Sequence, residues 1–491
     1  MISAAVADRG GTTVRHSRAR HLSVLATTAL LAAACSTSRG SSAGGPAAPG
    51  PTVAATSVAT STTTAPGKTF GTLASPCGPG PAKGGSDQGV TDTAIRIGYG
   101  DDRGYAGSPG LDQEIGDAIK ALIKWCNDQG GILGRPIQGD FYDAAITQVT
   151  GVTQQACKAD FMLVGEGWAL DEAAEQTRVG CNLPAVPAFT VGPDFANGPM
   201  MYQGVPNPVD YLPASVYYQI AQLFPDAVAK TDVLHTTLTT ATEVSYTKDL
   251  QAMAAAGWTN SDCGVKINYA GEPDYKPFAQ RFVSCGVKTI YSNLGFGPPL
   301  ENMLTAINQL GIKPVLVFES SVYSAAMAQW NTSGLADNSY FRMAFEPLEN
   351  TQVPAITDYL AILHASGGKV GLLGEQATSS FLLWATAAKT CGANLTRQCM
   401  INNLSAVHNW TAGGLSAQTD PGANLPPKCG MLVKLTGSTY SQVFPATAGQ
   451  FDCNDKYLFK VGSTAWGTTL GSDRLSTKFL SPNVIRPQGS A

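Results

Sequence analysis

Residues Ile95–Asp143 read IRIGYGDDRGYAGSPGLDQEIGDAIKALIKWCNDQGGILGRPIQGDFYD, and the order of elements in this stretch decides the fold. A β-branched run, Ile95 and Ile97, predicts a strand over Ile95–Tyr99. A glycine-rich loop follows. Ile115, Ile119, Leu122, Ile123 and Cys126 then recur at helical spacing and make one apolar stripe, predicting a helix over Leu111–Asn127. Gly130-Gly131 ends it, because left-handed backbone costs glycine almost nothing. A second strand is expected at Ile137–Tyr142. Strand, loop, helix and strand in this order argue for a parallel sheet with helices packed on it.

The same order carries a family resemblance. Asn127-Asp128-Gln129-Gly130-Gly131-Ile132-Leu133-Gly134-Arg135 between helix and strand, with Tyr142-Asp143 at the strand end, resembles the branched-chain amino-acid-binding proteins. These are extracytoplasmic solute receptors of ABC importers with the type I periplasmic-binding-protein fold. Similarity in element order continues to about residue 460. The resemblance implies two doubly wound, Rossmann-like α/β lobes joined by a three-strand hinge.

Outward from this unit, strands are predicted at Phe161–Val164, Ala185–Phe189, Val233–Thr236, Lys266–Tyr269, Thr289–Asn293 and Pro314–Glu319. Helices fit between and after them: Val149–Ala156, Leu170–Arg178, Tyr211–Leu223, Tyr246–Ala256, Pro277–Cys285, Pro299–Leu310, Tyr323–Trp330, Val353–Ala365 and Gln376–Thr390. Met431–Val443 alternates like an antiparallel or edge strand. The resemblance implies lobe crossings near Tyr202–Val205, Arg342–Glu346 and Met431–Lys434. Lobe one is then 92–204 plus 346–431, lobe two 205–345 plus 432–470, and 471–491 a C-terminal tail.

The beginning of the chain reads differently. Basic residues precede an apolar segment, Leu22–Ala34, too short to span a bilayer and suited to a signal peptide over residues 1–34; the first dozen residues look like an over-extended start. Small residues before Cys35 resemble a bacterial lipobox, which implies lipidation of the Cys35 sulfur and a mature protein anchored to the outer face of the cytoplasmic membrane. Residues 36–75 are almost entirely Ser, Thr, Ala, Pro and Gly, and 35–90 is expected to be lipid anchor and disordered linker. Forty such residues have a root-mean-square span of about 35 Å.

The formal net charge is −4. Removing residues 1–34 takes away four Arg and one Asp, leaving 28 basic and 35 acidic residues, a balance of −7. Nothing here suggests nucleic-acid binding. Besides Cys35 there are ten cysteines, an even number in a secreted chain, which suggests five disulfides. Nearest-neighbour pairing is the expectation: Cys77–Cys126, Cys157–Cys181, Cys263–Cys285, Cys391–Cys399 and Cys429–Cys453. It staples local elements within one lobe, although spacing alone does not fix connectivity. No C-x-x-C exists and histidine is scarce, so neither a metal site nor a cofactor is expected.

In α/β sheets ligands bind beyond the carboxyl ends of strands. Gly165-Glu166-Gly167-Trp168-Ala169 follows one strand; Trp168 is a stacking candidate, and Ala169 stands where the family carries a serine. Pro187-Ala188-Phe189-Thr190 resembles the family segment whose main chain and threonine hold a ligand carboxylate. Glu319, at another strand end, falls where the family's glutamate neutralises the ligand ammonium. Asn293 and Phe296 fall near an aromatic ligand contact. Asp101, Asp102, Arg103 and Tyr105 are candidates for the rim, with Thr240 and Tyr246 opposite.

The leading expectation is therefore a monomeric, lipid-tethered binding protein that closes on an amino acid or amide-like solute and presents it to an ABC permease. A sensor with the same clamshell is the second reading, and a secreted hydrolase the third. Against the hydrolase, neither G-x-S-x-G nor H-E-x-x-H occurs.

Overall fold

The computed structural model describes residues 69–489, apart from 86, 238, 239 and 269, and not the side chains of Thr237 and Thr240. The expected signal segment, Cys35 and the expected tether up to residue 68 lie outside the described residues.

The first sheet grows from the stretch quoted above. β1 (Ile95–Asp101) buries Ile95 and Ile97 and exposes Arg96 between them. α1 (Gln113–Asp128) buries Ile115, Ile119, Leu122 and Cys126 against the sheet, as its apolar stripe requires. β2 (Ile137–Asp143) pairs with β1 in parallel, Ile95 beside Ile137 and Asp101 beside Asp143. The GGILGR run makes the return possible. Gly131 has φ 72, and a Cβ there would lie 2.1 Å from the Arg135 carbonyl oxygen. The Asn127 side chain closes the same turn: its amide donates to the Ile137 carbonyl (2.9 Å) and its oxygen accepts the Ile137 N–H (2.7 Å). Arg135, 1% exposed, donates to the carbonyls of Gly84 (2.7 Å) and Ala393 (3.2 Å). After α2 (Val149–Ala159) comes β3 (Met162–Val164), and after α3 (Glu172–Gly180) comes β4 (Ala185–Val186). The sheet is all parallel, in the order β2-β1-β3-β4.

The second sheet contains β5 (Thr231–Thr237), β6 (Lys266–Asn268), β7 (Thr289–Ser292), β8 (Val315–Phe318), β9 (Ser339–Met343), β10 (Cys429–Thr436) and β11 (Thr439–Phe444), in the order β11-β10-β9-β8-β7-β5-β6. β5 to β9 are parallel, β10 runs antiparallel to β9, and β11 runs antiparallel to β10. α4 (Thr240–Ala255), α5 (Lys276–Cys285) and α6 (Pro298–Gln309) connect its parallel strands. From β9 the chain returns to lay α7 (Pro354–Ser366) and α8 (Leu372–Cys391) against α1, with α9 (Arg397–Ser405) packed on α8. It then crosses back as β10. The chain thus passes between the two sheets three times.

Several expectations need correction. The strand expected over Ala185–Phe189 stops at Val186, since Pro187 has no N–H for a ladder. The helix expected from Tyr211 begins at Ser215; Tyr211–Pro213 pairs instead with Leu458–Lys460, as Pro213 bars an α-helical interior. Met431–Val443 is a hairpin, not one strand. β9 and α9 were not anticipated; α9 is short and polar, started by Thr396, whose hydroxyl accepts the Cys399 N–H (3.1 Å). The disordered linker expected to reach residue 90 is ordered from Thr69: Thr69–Phe70 pairs with Leu73–Ala74, Phe70 is fully buried, and the Gly71 N–H donates to Asp358 (2.7 Å).

Disulfides join Cys77–Cys126, Cys157–Cys181, Cys263–Cys285, Cys391–Cys399 and Cys429–Cys453. The first ties the N-terminal segment to α1 across 49 residues. Replacing Cys77 and Cys126 together by serine is expected to lower the unfolding free energy by about 2–4 kcal/mol, from the entropy the cross-link removes from the unfolded chain. Guanidinium denaturation of the oxidised proteins measures this; an unchanged midpoint and slope would refute it.

Candidate functional site

A cleft of about 320 Å³ opens where the carboxyl ends of both sheets meet. From the first sheet's side come Asp112, just before α1, the segment Phe189-Thr190-Val191 after β4, and Leu373 and Gln376 of α8. From the second come Ser245, Lys248 and Asp249 of α4, Asn293 after β7, Glu319-Ser320-Ser321 after β8, and Arg342 of β9. Asn207 and Leu212, on the first crossing segment, complete it. This is where a parallel sheet places its ligand, because strand ends and helix starts leave polar groups unpaired.

The strongest interaction in the wall is the Glu319–Arg342 ion pair. The Tyr291 hydroxyl also donates to Glu319, and Arg342 donates to the Pro213 carbonyl (3.1 Å). Burial works against the charged guanidinium, but the Glu319 carboxylate and its neighbours raise Arg342 above its ordinary range. Glu319 is therefore already neutralised by the protein.

Asp249 stands behind this pair. Its carboxylate accepts the Tyr217 hydroxyl (2.8 Å), whose oxygen lies 3.2 Å from that of Tyr291. Burial pushes Asp249 above the usual carboxylate range, and the charge on Glu319 pushes the same way. Two carboxyls are thus joined through two phenols, and Arg342 pairs with one of them. Lys248, 5% exposed, donates to the Pro208 carbonyl (2.8 Å). Burial lowers it to about 8, against the pull of Asp249. Across the cleft, Asp112 has φ 57, a left-handed conformation that aspartate tolerates, and its side chain does not cap α1. Its carboxyl reaches the cleft but is crowded by its walls. Desolvation raises it to about 8, with Glu114, Asp102 and Asp101 adding to the rise and Lys369 opposing it.

Of the residues singled out by sequence, the structure brings Phe189, Thr190, Asn293 and Glu319 to this cleft. Thr190 holds no proton for a ligand. Its hydroxyl donates to Gln203 Oε1 (2.9 Å), and Gln203 is fixed in that orientation because its amide donates to Ala196 (2.8 Å) and Asn424 (3.0 Å). The next main-chain amides, of Val191 and Gly192, go to Asp171 (2.6 and 2.7 Å). The carboxylate grip implied by the family resemblance is thus occupied from within.

The remaining candidates lie elsewhere. Trp168 is fully buried among Tyr142, Leu163 and Phe195, where a large ring gains most from leaving water. Ala188 is fully buried, its N–H donating to the Glu166 carbonyl (2.8 Å). The Ala169 N–H goes to Asp102 (2.6 Å). Phe296 packs on Trp330, ring centroids 6.0 Å apart, outside the lining. Tyr105 is half-buried in the β1–α1 loop and does not line the cleft. The proposed rim residues are structural: Asp101 pairs with Arg103 (2.6 Å) and accepts the Gly116 N–H (3.1 Å), while Asp102 accepts the N–H groups of Ile146 and Ala169 (both 2.6 Å). Tyr246 stacks on His235, centroids 4.2 Å apart, and the Thr240 side chain lies outside the described residues.

Sequence reasoning missed Asp112, Lys248, Asp249 and Arg342. Asp112 lies in the first turn of the helix expected from Leu111, and Lys248-Asp249 lies inside a helix read only for packing. Arg342 was noticed only as part of a crossing.

A family model described as periplasmic binding protein matches residues 94–439. No curated protein matches. Among solved structures, the chain resembles a fatty acid ABC transporter substrate-binding protein from Thermomonospora curvata, with 15% identity, TM-score 0.59, and coverage of 78% of this chain and 97% of that one. It also resembles the branched-chain amino acid transporter substrate-binding protein from Streptococcus pneumoniae in complex with isoleucine, with 15% identity, TM-score 0.55, and coverage of 72% and 99%. A solute-binding protein from R. palustris in complex with 4-hydroxybenzoate gives 15% identity, TM-score 0.56, and coverage of 75% and 96%.

The ion pair in the cleft wall is open to direct test. Arg342→Met leaves Glu319 half-buried without its cation and is expected to destabilise the fold by about 3–5 kcal/mol. Combining it with Glu319→Gln should recover more than half of that loss. Chemical denaturation of the two variants decides; equal losses in both would show that the pair is not what the wall depends on.

Proposed function

From the premise that the chain belongs to the periplasmic-binding-protein family, with its type I fold, we propose that it is the substrate-binding lipoprotein of an ABC importer. Its cleft captures an amino acid or amide-like small solute and its closure presents that solute to a permease. The observation that carries the reading is the charge pattern of the cleft. Acids stand on both sides, Asp112 on one and Asp249 on the other, with Lys248 next to Asp249. An α-amino acid carries its ammonium and carboxylate one carbon apart, and adjacent groups of opposite sign suit such a head. The ammonium goes to Asp112 and Asp249, not to Glu319, which Arg342 already neutralises. The carboxylate goes to Lys248 and the hydroxyls of Ser320 and Ser321. Phe189 and Leu373 face the side chain. Contacts from both sides of the cleft form together only when it closes, which makes the ligand itself the switch.

A thermal-shift screen against amino acids and amides identifies the solute, since a ligand bound only by the folded state raises the midpoint. With that solute, Asp112→Asn and Asp249→Asn are each expected to weaken binding at least about tenfold, from loss of a charge-assisted bond. The sign with pH follows from Asp112. Raised to about 8, its carboxyl is largely neutral at pH 6, and an ammonium favours the ionised form. Affinity therefore rises between pH 6 and 8, and binding at pH 7 releases protons. Calorimetry in two buffers of different ionisation enthalpy measures that release, which Asp112→Asn should reduce; unchanged affinity and release would refute the role.

Membrane attachment rests on the run before Cys35. Cys35→Ala is expected to move the protein from the membrane fraction to the medium, as read by immunoblotting of fractions. Retention at the membrane would sink the anchor.

A further inference from the structure

The charged cleft continues. Beyond Ser321 and Leu373, which line both spaces, lies a second chamber of about 490 Å³. It too is walled from both sides. Glu114 of α1 and the segment Lys369–Leu373 form one wall; the short helix Ala325–Trp330, Tyr323 and Tyr440 form much of the other. Its character differs from that of the cleft. Ala325, Ala326, Ala328, Leu348, Val370 and Leu372 present methyl and methylene groups.

Several of the polar groups around it are engaged with one another. The Tyr323 hydroxyl donates to Glu349 (2.6 Å) and accepts the Leu348 N–H (2.9 Å). The Tyr440 hydroxyl donates to the Ser324 carbonyl (2.9 Å) and accepts the Ser324 N–H (3.2 Å). Lys369 pairs with Glu114 (3.2 Å). A polar ligand group placed against these would have to break a pairing, whereas an apolar group breaks none. The first cleft alone stands near the bottom of the roughly 300–1,000 Å³ range of small-molecule sites. The second space adjoins it at Ser321 and Leu373.

We infer that the ligand has two parts: a charged amino-acid head in the cleft and a slim apolar chain that passes between Ser321 and Leu373 into the chamber. The inference rests on the amino-acid reading of the cleft. The class it names is amino acids whose unbranched side chain reaches well past that of leucine.

A ladder of L-alanine, L-norleucine and L-2-aminodecanoate tests it by calorimetry, with the head constant and only the chain growing. Full burial is worth about 0.8 kcal/mol, or about fourfold in affinity, per methylene. Since the chamber is partly open, at least about tenfold tighter binding is expected from norleucine to aminodecanoate over four methylenes. Ala326→Trp, on the exposed side of the short helix, fills the chamber. It is expected to cut that gain below about threefold and leave alanine within about twofold, since alanine has no chain to displace. Alanine bound with a flat ladder overturns the chamber and leaves the amino-acid reading standing. A ladder unaltered by Ala326→Trp does the same. Failure of all three to bind the wild-type protein overturns the amino-acid reading, and the chamber with it.

Discussion

The cleft is organised around a cation that the protein supplies to itself. Arg342 on β9 meets Glu319 beyond β8, and Tyr291 and Tyr217 extend the contact to Asp249. Charges half-hidden from water must be paired, because the desolvation cost of an isolated one exceeds what any neutral neighbour returns. With Glu319 satisfied from inside, the other acids in the cleft lining are Asp112 and Asp249, which stand on opposite walls. The consequence is a different division of labour from the one the family resemblance implies. In the binding mode proposed above, the strand-end glutamate shapes the wall, and acids on or beside helices meet the ligand.

Occupied donors repeat the theme on the other side. Thr190 spends its proton on Gln203, and Asp171 takes the amides of Val191 and Gly192. The segment that resembles a carboxylate grip has been closed by a built-in carboxylate. Lys248, lowered to about 8 by burial, is the second cation in the cleft lining beside Arg342.

The crossing segments are held by the C-terminal residues. Arg474 binds both oxygens of Asp210 (2.6 and 2.8 Å) near the first crossing and donates to the carbonyls of Ala423 and Asn424 before β10. One planar guanidinium thus ties the first crossing to the third, a task for which its fixed fork of donors is suited. Lys478 reaches Asp194 (2.6 Å) and Glu172 (3.1 Å), seating the same segment on the first sheet's side. The residues expected as a plain tail are thus a strap across the hinge region.

Local physics was legible in the sequence. Period-two and period-3.6 patterns gave most strands and helices, and GGILGR announced its turn because only residues free to adopt left-handed backbone can make it, with Asn127 closing the loop. Even numbers of cysteines told of bridges. What periodicity does not carry is the direction of a side chain at a strand end. Trp168 and Phe189 are both aromatic and both follow strands, yet one fills the core and the other lines the cleft. Nor does it carry partnership between distant residues. Glu319 and Arg342 are 23 residues apart, and only the parallel pairing of β8 with β9 brings them together. The sequence by itself determined the elements and their alternation, because those depend on neighbours within one or two turns. The tertiary structure alone decided which charges are spent within the protein and which remain for a solute, because that depends on groups the fold gathers from far along the chain.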